Sequence, residues 1–74
     1  MSGEQAKMEL ISMCPQMRIS ITNHWFYFNK KQKVSYVIEI GTAANVAYIK
    51  VQHGSLNEAM NLARQAIMEK KSNH

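Results

Sequence analysis

The sequence has no aspartate, a single cysteine and no long apolar run, and each scarcity excludes a class of protein. All five acidic residues are glutamates, which excludes an aspartate dyad, an aspartate-based calcium loop and a triad oriented by aspartate. Cys14 has no second cysteine to pair with, so a small domain held by internal disulfides is excluded and a reducing compartment is expected. The apolar runs are far shorter than the roughly 18–20 residues of a membrane-spanning helix.

The length and the N-terminal residues narrow the class further. The 74 residues have room for one domain with one core. Glu4 and Glu9 interrupt the N-terminal segment and no apolar stretch follows them, so a signal peptide is not expected. We therefore expect a cytoplasmic protein of one domain that has no membrane partner.

The positive charge is concentrated in the centre of the chain. The formal net charge is +4, and residues 18–50, which contain Arg18, four lysines and one glutamate, carry all of it. Lys30, Lys31 and Lys33 fall within four consecutive residues. The central segment is therefore the expected contact region for an acidic partner such as nucleic acid.

The same central segment predicts β-strands joined by polar turns. Four runs have the composition of strands: residues 17–22, 25–28, 34–40 and 46–52. The alternation of apolar and polar residues slips at Asn23 and His24, so a bulge or bend is expected there. Residues 29–32 and 41–45 are expected turns, and these short connections favour an antiparallel meander of three or four strands.

Residues 55–71 predict an amphipathic helix. Ser55 and Glu58 have the spacing of a capping box, and Lys70 and Lys71 suit the negative end of the helix dipole. One stripe of the helix is apolar: Leu56, Ala59, Met60, Ala63, Ala66 and Ile67. Since this stripe and one sheet face must both be covered, the predicted fold is α+β, an antiparallel sheet packed on the C-terminal helix. The other sheet face is left open to water or to a ligand.

The N-terminal residues fit two descriptions. Ser2 and Gln5 form a second capping-box pattern, and Pro15 would end a helix that begins there. A frayed tail is the alternative at this length. We divide the chain into an N-terminal tail or short helix (1–16), a single domain (17–71) and a frayed tail (72–74).

The order of these elements resembles that of two known families. Residues 28–33 followed by 36–40 are similar to the aromatic, basic turn and second strand of sheet-reading DNA-binding domains, of the plant Apetala type and the arm-binding type of tyrosine integrases. Residues 47–49 followed by 55–59 are similar to their third strand and helix start. That resemblance implies a sheet face that enters the major groove of DNA. The start of the C-terminal helix also resembles HicB-type antitoxin domains, which implies a protein-interaction module.

The basic residues of the centre are the candidate nucleic-acid contacts. Lys30, Lys31, Lys33 and Lys50 are expected on phosphates, Arg18 on a base edge, and Tyr48 in a stacking or packing role. The lysines of the turn have a second interpretation, a solvated hairpin tip that discourages aggregation at the sheet edge. The aromatic run 25–28 is either a platform for exposed bases or core packing, and core packing is the commoner use of such a run.

The competing hypothesis is a protein interface on a half-apolar sheet face. The face would present Val37, Val46 and Tyr48, with Trp25 as a further interface residue, and it would bind a protein partner or a second copy of the chain. Such a module could be antitoxin-like or an inhibitor of a host protein.

No enzyme, metal or cofactor is expected. His24, His53 and His74 do not have zinc-ligand spacing with Cys14, and the three glycines are isolated rather than arranged as a phosphate loop. The leading hypothesis is therefore a small accessory protein of phage or mobile-element type that binds DNA, or RNA, through a basic hairpin and sheet face.

Overall fold

The computed structural model describes residues 2–44 and 48–72, and it contains a three-stranded sheet covered by two helices. In chain order the elements are α1 (Gly3–Met13), β1 (Arg18–Phe28), β2 (Lys31–Gly41), β3 (Ile49–His53) and α2 (Leu56–Ser72). The sheet is antiparallel throughout, with β2 between β1 and β3. The predicted α+β fold with a sheet packed on the C-terminal helix is confirmed.

The core lies between one face of the sheet and both helices. The alternation of β2 turns Ile38 and Ile40 toward the helices, and α2 brings small side chains close to them. The buried cluster consists of Ala6, Leu10, Cys14, Ile38, Ile40, Ile49, Ala59, Met60, Ala63 and Ile67. The apolar stripe predicted for the C-terminal helix supplies four of these residues, so the helical periodicity identified the packed side of α2.

The strand β1 is continuous, and the expected bulge is wrong. Asn23 pairs with Tyr36 and His24 pairs with Ser35, in the same one-to-one register that joins Arg18 to Gly41. The alternation of apolar and polar residues is lost after Asn23 because no helix covers that part of the hairpin. Neither face of the strand is therefore required to be apolar there. The two strand runs predicted at 17–22 and 25–28 are therefore one strand, and the described sheet has three strands rather than four.

The turn between β1 and β2 is a two-residue loop. Asn29 has φ 52° and Lys30 has φ 63°, and positive φ at both central positions defines the type I′ turn of tight hairpins. Asparagine adopts this conformation readily, whereas a lysine there costs about 1–2 kcal/mol. The turn is shorter than the predicted 29–32, because β2 already begins at Lys31.

The third strand is much shorter than the first two. β3 pairs with β2 over five residues, from Ile49 opposite Ile40 to His53 opposite Tyr36, whereas β1 and β2 pair over eleven residues each. The first part of the strand predicted at 46–52 includes residues outside the described part of the chain. Since β3 supports only one end of the hairpin, the other end extends away from the core, and the molecule measures 45 × 21 × 21 Å.

The N-terminal residues form a helix that belongs to the core, not a frayed tail. The capping box is confirmed, since Gln5 N–H donates to Ser2 Oγ at 3.2 Å and Ser2 N–H donates to Gln5 Oε1 at 3.0 Å. Ala6 and Leu10 are fully buried against the sheet and α2. Of the two descriptions of residues 1–16, a short helix or a frayed tail, the structure shows the helix, and α1 shares the core of the sheet and α2.

Two polar contacts hold the helices together. Arg64 of α2 donates two hydrogen bonds to Glu9 of α1, Nε to Oε2 at 2.5 Å and Nη2 to Oε1 at 2.8 Å. Lys71 Nζ donates to the carbonyl of Met13 at 3.2 Å, at the end of α1. The cations of α2 therefore act in tertiary contacts as well as on their own helix dipole.

The N-terminus of α2 differs in detail from its prediction. The backbone N–H of Ser55 donates to His53 Nδ1 at 3.1 Å. That bond takes the place of the one predicted from the same N–H to the side chain of Glu58. The helix nevertheless begins after Ser55, whose carbonyl accepts from Ala59 N–H at 2.9 Å.

Replacing Leu10 by alanine tests whether α1 is a required part of the core. Because Leu10 is fully buried, Leu10→Ala should lower the free energy of unfolding by about 3 kcal/mol, measured in urea at equilibrium. Ile11→Ala is the matched control, since Ile11 is the exposed neighbour and should change stability by about 0.5 kcal/mol at most. Equal, small effects for both variants would contradict the packing of α1.

Replacing Glu9 by glutamine tests the contact between the helices. Hydrogen bonds from Arg64, and then its positive charge, hold the pKa of Glu9 below its ordinary value of 4.5. Stabilisation from this pair is therefore complete above the unfolded pKa and is lost as pH falls through the lowered folded pKa. Since both side chains are about one-third exposed, Glu9→Gln should cost about 0.2–1 kcal/mol at pH 7.

That cost should disappear as the pH is lowered from about 4.5 toward the folded pKa of Glu9. Unfolding in urea across this pH range measures it, and Glu69→Gln on the exposed surface of α2 is the control. A cost that is independent of pH would contradict the ion pair.

Candidate nucleic-acid interface

The end of the hairpin that extends past β3 is here named the arm, residues 24–35. β3 reaches only as far as Tyr36 of β2, so the arm has two strands and no neighbour in the sheet. The four consecutive aromatic residues of the arm are exposed: Trp25 63%, Phe26 46%, Tyr27 78% and Phe28 61%. Of the two interpretations of this run, core packing is not what the structure shows.

The register divides the arm into two faces of different chemistry. On one, named the lysine face, Phe26 lies opposite Lys33 and Phe28 lies opposite Lys31. On the other, named the tryptophan face, Trp25 lies opposite Val34 and Tyr27 lies opposite Gln32. Each face therefore presents two aromatic rings, but the two cations of β2 lie on one face alone.

The tip of the arm is the strongest concentration of unpaired positive charge in the described part of the chain. Within residues 2–44 and 48–72, no hydrogen bond or ion pair engages the side chains of Lys30, Lys31 or Lys33. Other cations are occupied in the fold, such as Arg64 with Glu9. The three lysines of the arm are therefore available to an external anion, and the arm contains no acidic residue that would oppose it.

Arg18 and Lys50 lie far from those lysines, although they share their side of the sheet. Arg18 begins β1 and Phe28 ends it, so about 30 Å of strand separates Arg18 from the lysine pairs. Lys50 lies opposite Glu39, which is also two pairs along the ladder from Arg18 and on the same face of the sheet. The predicted nucleic-acid contacts therefore form two groups, and the acidic side chain in the second group weakens its positive field.

Tyr48 does not belong to either group. It packs against the core on the side of the helices, and Lys70 Nζ lies 4.3 Å from the centroid of its ring. Tyr48 precedes β3 rather than lying within it, so strand alternation does not decide which way it faces. The contact between Lys70 and Tyr48 corrects the expectation that Tyr48 lies on the open sheet face.

The predicted partner surface is not one continuous patch. Val37 is on the open face at the centre of β2 but is only 5% exposed, between its pairing partners Thr22 and Gln52. Trp25 is exposed, but on the opposite side of the sheet and in the arm. Val46 lies outside the described residues. The middle position of β2 explains the burial of Val37, since it has a paired residue on each side in the sheet.

A small cavity at the base of the arm has little chemistry of its own. It has a volume of about 290 Å³ and is lined by Gly3, Ile21, Thr22, Asn23, Tyr36 and Leu56. None of these side chains is a carboxylate, imidazole, thiol or amine, and Cys14 is buried in the core instead. Among the described residues, no three potential metal ligands come together, and no helix has the length and apolarity to cross a membrane.

The pairing of Phe26 with Lys33 and of Phe28 with Lys31 is the part of the site that the sequence reasoning missed. The signal was present in the residues 28–31, an aromatic, Asn29, Lys30 and a lysine. A two-residue turn at Asn29 and Lys30 places Phe28 directly opposite Lys31, and the rest of the register follows from it.

Comparisons of the chain with models of known protein families, with curated proteins and with solved structures found no match. The resemblance to sheet-reading DNA-binding domains and to antitoxin domains therefore stays a prediction.

Proposed function

We propose that the protein binds nucleic acid through the arm, with Lys30, Lys31 and Lys33 in contact with phosphates. The observation that carries this proposal is the combination of three unpaired lysines and four exposed aromatic rings on one projecting hairpin. Lysines neutralise phosphates and release their counterions, and aromatic rings stack on bases. A nucleic-acid strand is the partner that uses both groups at the same place.

The fold alone does not account for the composition of the arm. Leaving a large aromatic ring in water forgoes about 1.5–3 kcal/mol that burial would have contributed. A two-stranded hairpin without a third strand is marginally stable by itself, and the left-handed Lys30 adds strain. A segment so unfavourable for folding, and so exposed, is typical of a contact surface.

The shape of the arm also suits this partner. A two-stranded ribbon is narrow enough to enter the major groove of a duplex, and it can equally lie along a single strand. Both helices cover the core at the other end of the molecule, so they leave the arm accessible to a ligand. Arg18 and Lys50 are then secondary positions, which a long ligand could reach along the open sheet face.

The protein-interaction hypothesis has less support. Of the three residues of its predicted surface that the structure describes, Val37 is buried and Tyr48 is half-buried under Lys70. An interface built on Trp25 alone offers little area compared with a stable complex. A phage or mobile-element role for the protein stays a prediction.

Removing the charges of the arm tests the proposed function. The triple variant Lys30→Gln, Lys31→Gln, Lys33→Gln should abolish most binding to nucleic acid at low salt. In titrations against salt, the slope of log affinity should fall by about two to three, because each lysine on a phosphate contributes about one. Fluorescence anisotropy with a labelled oligonucleotide measures both quantities.

The matched control removes the same amount of charge elsewhere. Lys7→Gln, Lys70→Gln, Lys71→Gln also lowers the net charge by three, but the altered residues are on the helices. Its affinity should stay much closer to that of the unaltered protein, and urea unfolding shows that both variants remain folded. Equal losses in the two triple variants would indicate a general charge effect, and absence of any binding at low salt would refute the proposed function.

Replacing Lys30 by glycine should separate stability from binding. Glycine adopts the left-handed conformation without strain, so Lys30→Gly should raise the free energy of unfolding by about 1 kcal/mol. The same change should weaken binding and reduce the salt slope by about one. Lys30→Ala is the control, since it loses the charge without relieving the turn. Unchanged affinity in both variants would exclude Lys30 from the contact.

A further inference from the structure

We infer that the ligand of the arm is single-stranded nucleic acid, bound on the lysine face with its bases stacked on Phe26 and Phe28. This inference rests on the proposed function and specifies which form of nucleic acid the arm takes and which face takes it. It goes beyond phosphate contact, because it assigns a role to the phenylalanine rings and to the register that places them.

The chemistry of the two rings favours unpaired bases. A phenylalanine ring has no hydrogen-bond donor or acceptor, so in the grooves of a duplex it cannot hydrogen-bond to a base edge and can contact only apolar groups such as the thymine methyl. The faces of the bases, on which a ring can stack, are covered by neighbouring bases in a duplex and accessible in a single strand. Phe26 and Phe28, both exposed, therefore match a strand whose bases are unstacked.

The spacing along β1 supports the same conclusion. Phe26 and Phe28 are two residues apart on one face of a strand, which separates their Cα atoms by about 6.8 Å. That distance is about twice the 3.4 Å spacing of stacked bases, so one base has room between the two rings. The two rings can therefore hold one base of an unstacked strand between them.

The position of the lysines selects the face. Lys33 lies directly across from Phe26 and Lys31 directly across from Phe28, so the Cβ atoms of each phenylalanine and its lysine are about 4.5–5.5 Å apart. A nucleotide stacked on either ring can place its phosphate next to that cation. On the tryptophan face the corresponding partners are Val34 and Gln32, which carry no charge. Charge complementarity therefore assigns the strand to the lysine face.

The first experiment compares two forms of one oligonucleotide. A mixed-sequence single strand without self-complementarity, and the duplex with its complement, are titrated with the full chain at the same low salt. The single strand should bind more tightly than the duplex. A duplex that binds equally well or better would overturn this inference and leave the proposed function standing, whereas absence of binding by both forms would refute the two together.

The second experiment compares the two faces by matched double variants. Phe26→Leu with Phe28→Leu keeps the arm apolar but removes the rings of the lysine face, and should weaken single-strand binding at least about 30-fold. Trp25→Leu with Tyr27→Leu makes the same kind of change on the tryptophan face and should have a much smaller effect. The reverse ranking would overturn the choice of face.

Tryptophan fluorescence provides a readout that does not depend on the loss of a ring. The chain has one tryptophan, Trp25, on the face assigned no ligand, so single-strand binding should quench its emission little. The exchange variant Trp25→Phe with Phe26→Trp moves the fluorophore to the lysine face, where stacking on a base should quench it strongly. Strong quenching in the unaltered protein with none in the exchange variant would place the strand on the tryptophan face and overturn the assignment.

Discussion

The whole structure depends on the burial of one sheet face by two helices. These helices cover only part of the length of the hairpin formed by β1 and β2. Leu10, Ile38, Ile40, Met60 and Ile67 fill the space between them and are the largest fully buried side chains. An eleven-residue strand extends about 36 Å, and β3 supports only five residues of it. The far half of β1 and β2 is therefore outside the core by geometry. Its exposed aromatic rings follow from that mismatch in length.

The charges of the protein are divided in the same way. At the core end, Arg64 binds Glu9, Lys70 lies over Tyr48 and Lys71 binds the end of α1, so these cations stabilise the contact of the helices with each other and with the residue before β3. At the arm end, the lysines have no partner among the described residues. The cations of α2 are thus held in tertiary contacts, whereas the lysines of the arm leave a positive field that no described acidic side chain neutralises. This separation is the physical basis of the proposal that the arm binds an anion.

Local pattern predicted the elements better than it predicted their surroundings. The stripe of α2, the capping box of Ser2 and Gln5, and the alternation that turns Ile38 and Ile40 inward are all confirmed. The bulge at Asn23 and His24 was wrong because a lapse in alternation was attributed to a break in pairing, when it reflects the end of the covering helices. The sequence predicted the lysines of the arm as a group, but not the rings that lie opposite them.

By itself the sequence determined the C-terminal helix and its apolar stripe, the alternation of β2, the region of the hairpin turn and where the charge is concentrated. Those properties depend on neighbours within a few positions along the chain. Only the tertiary structure decided how far β3 and the helices extend along the hairpin, and hence that Trp25 to Phe28 are exposed. It also buried Val37 between strands and placed Tyr48 under α2. These outcomes depend on contacts between residues distant in sequence. The periodicity of one strand does not show how far the neighbouring strand and helices extend along it.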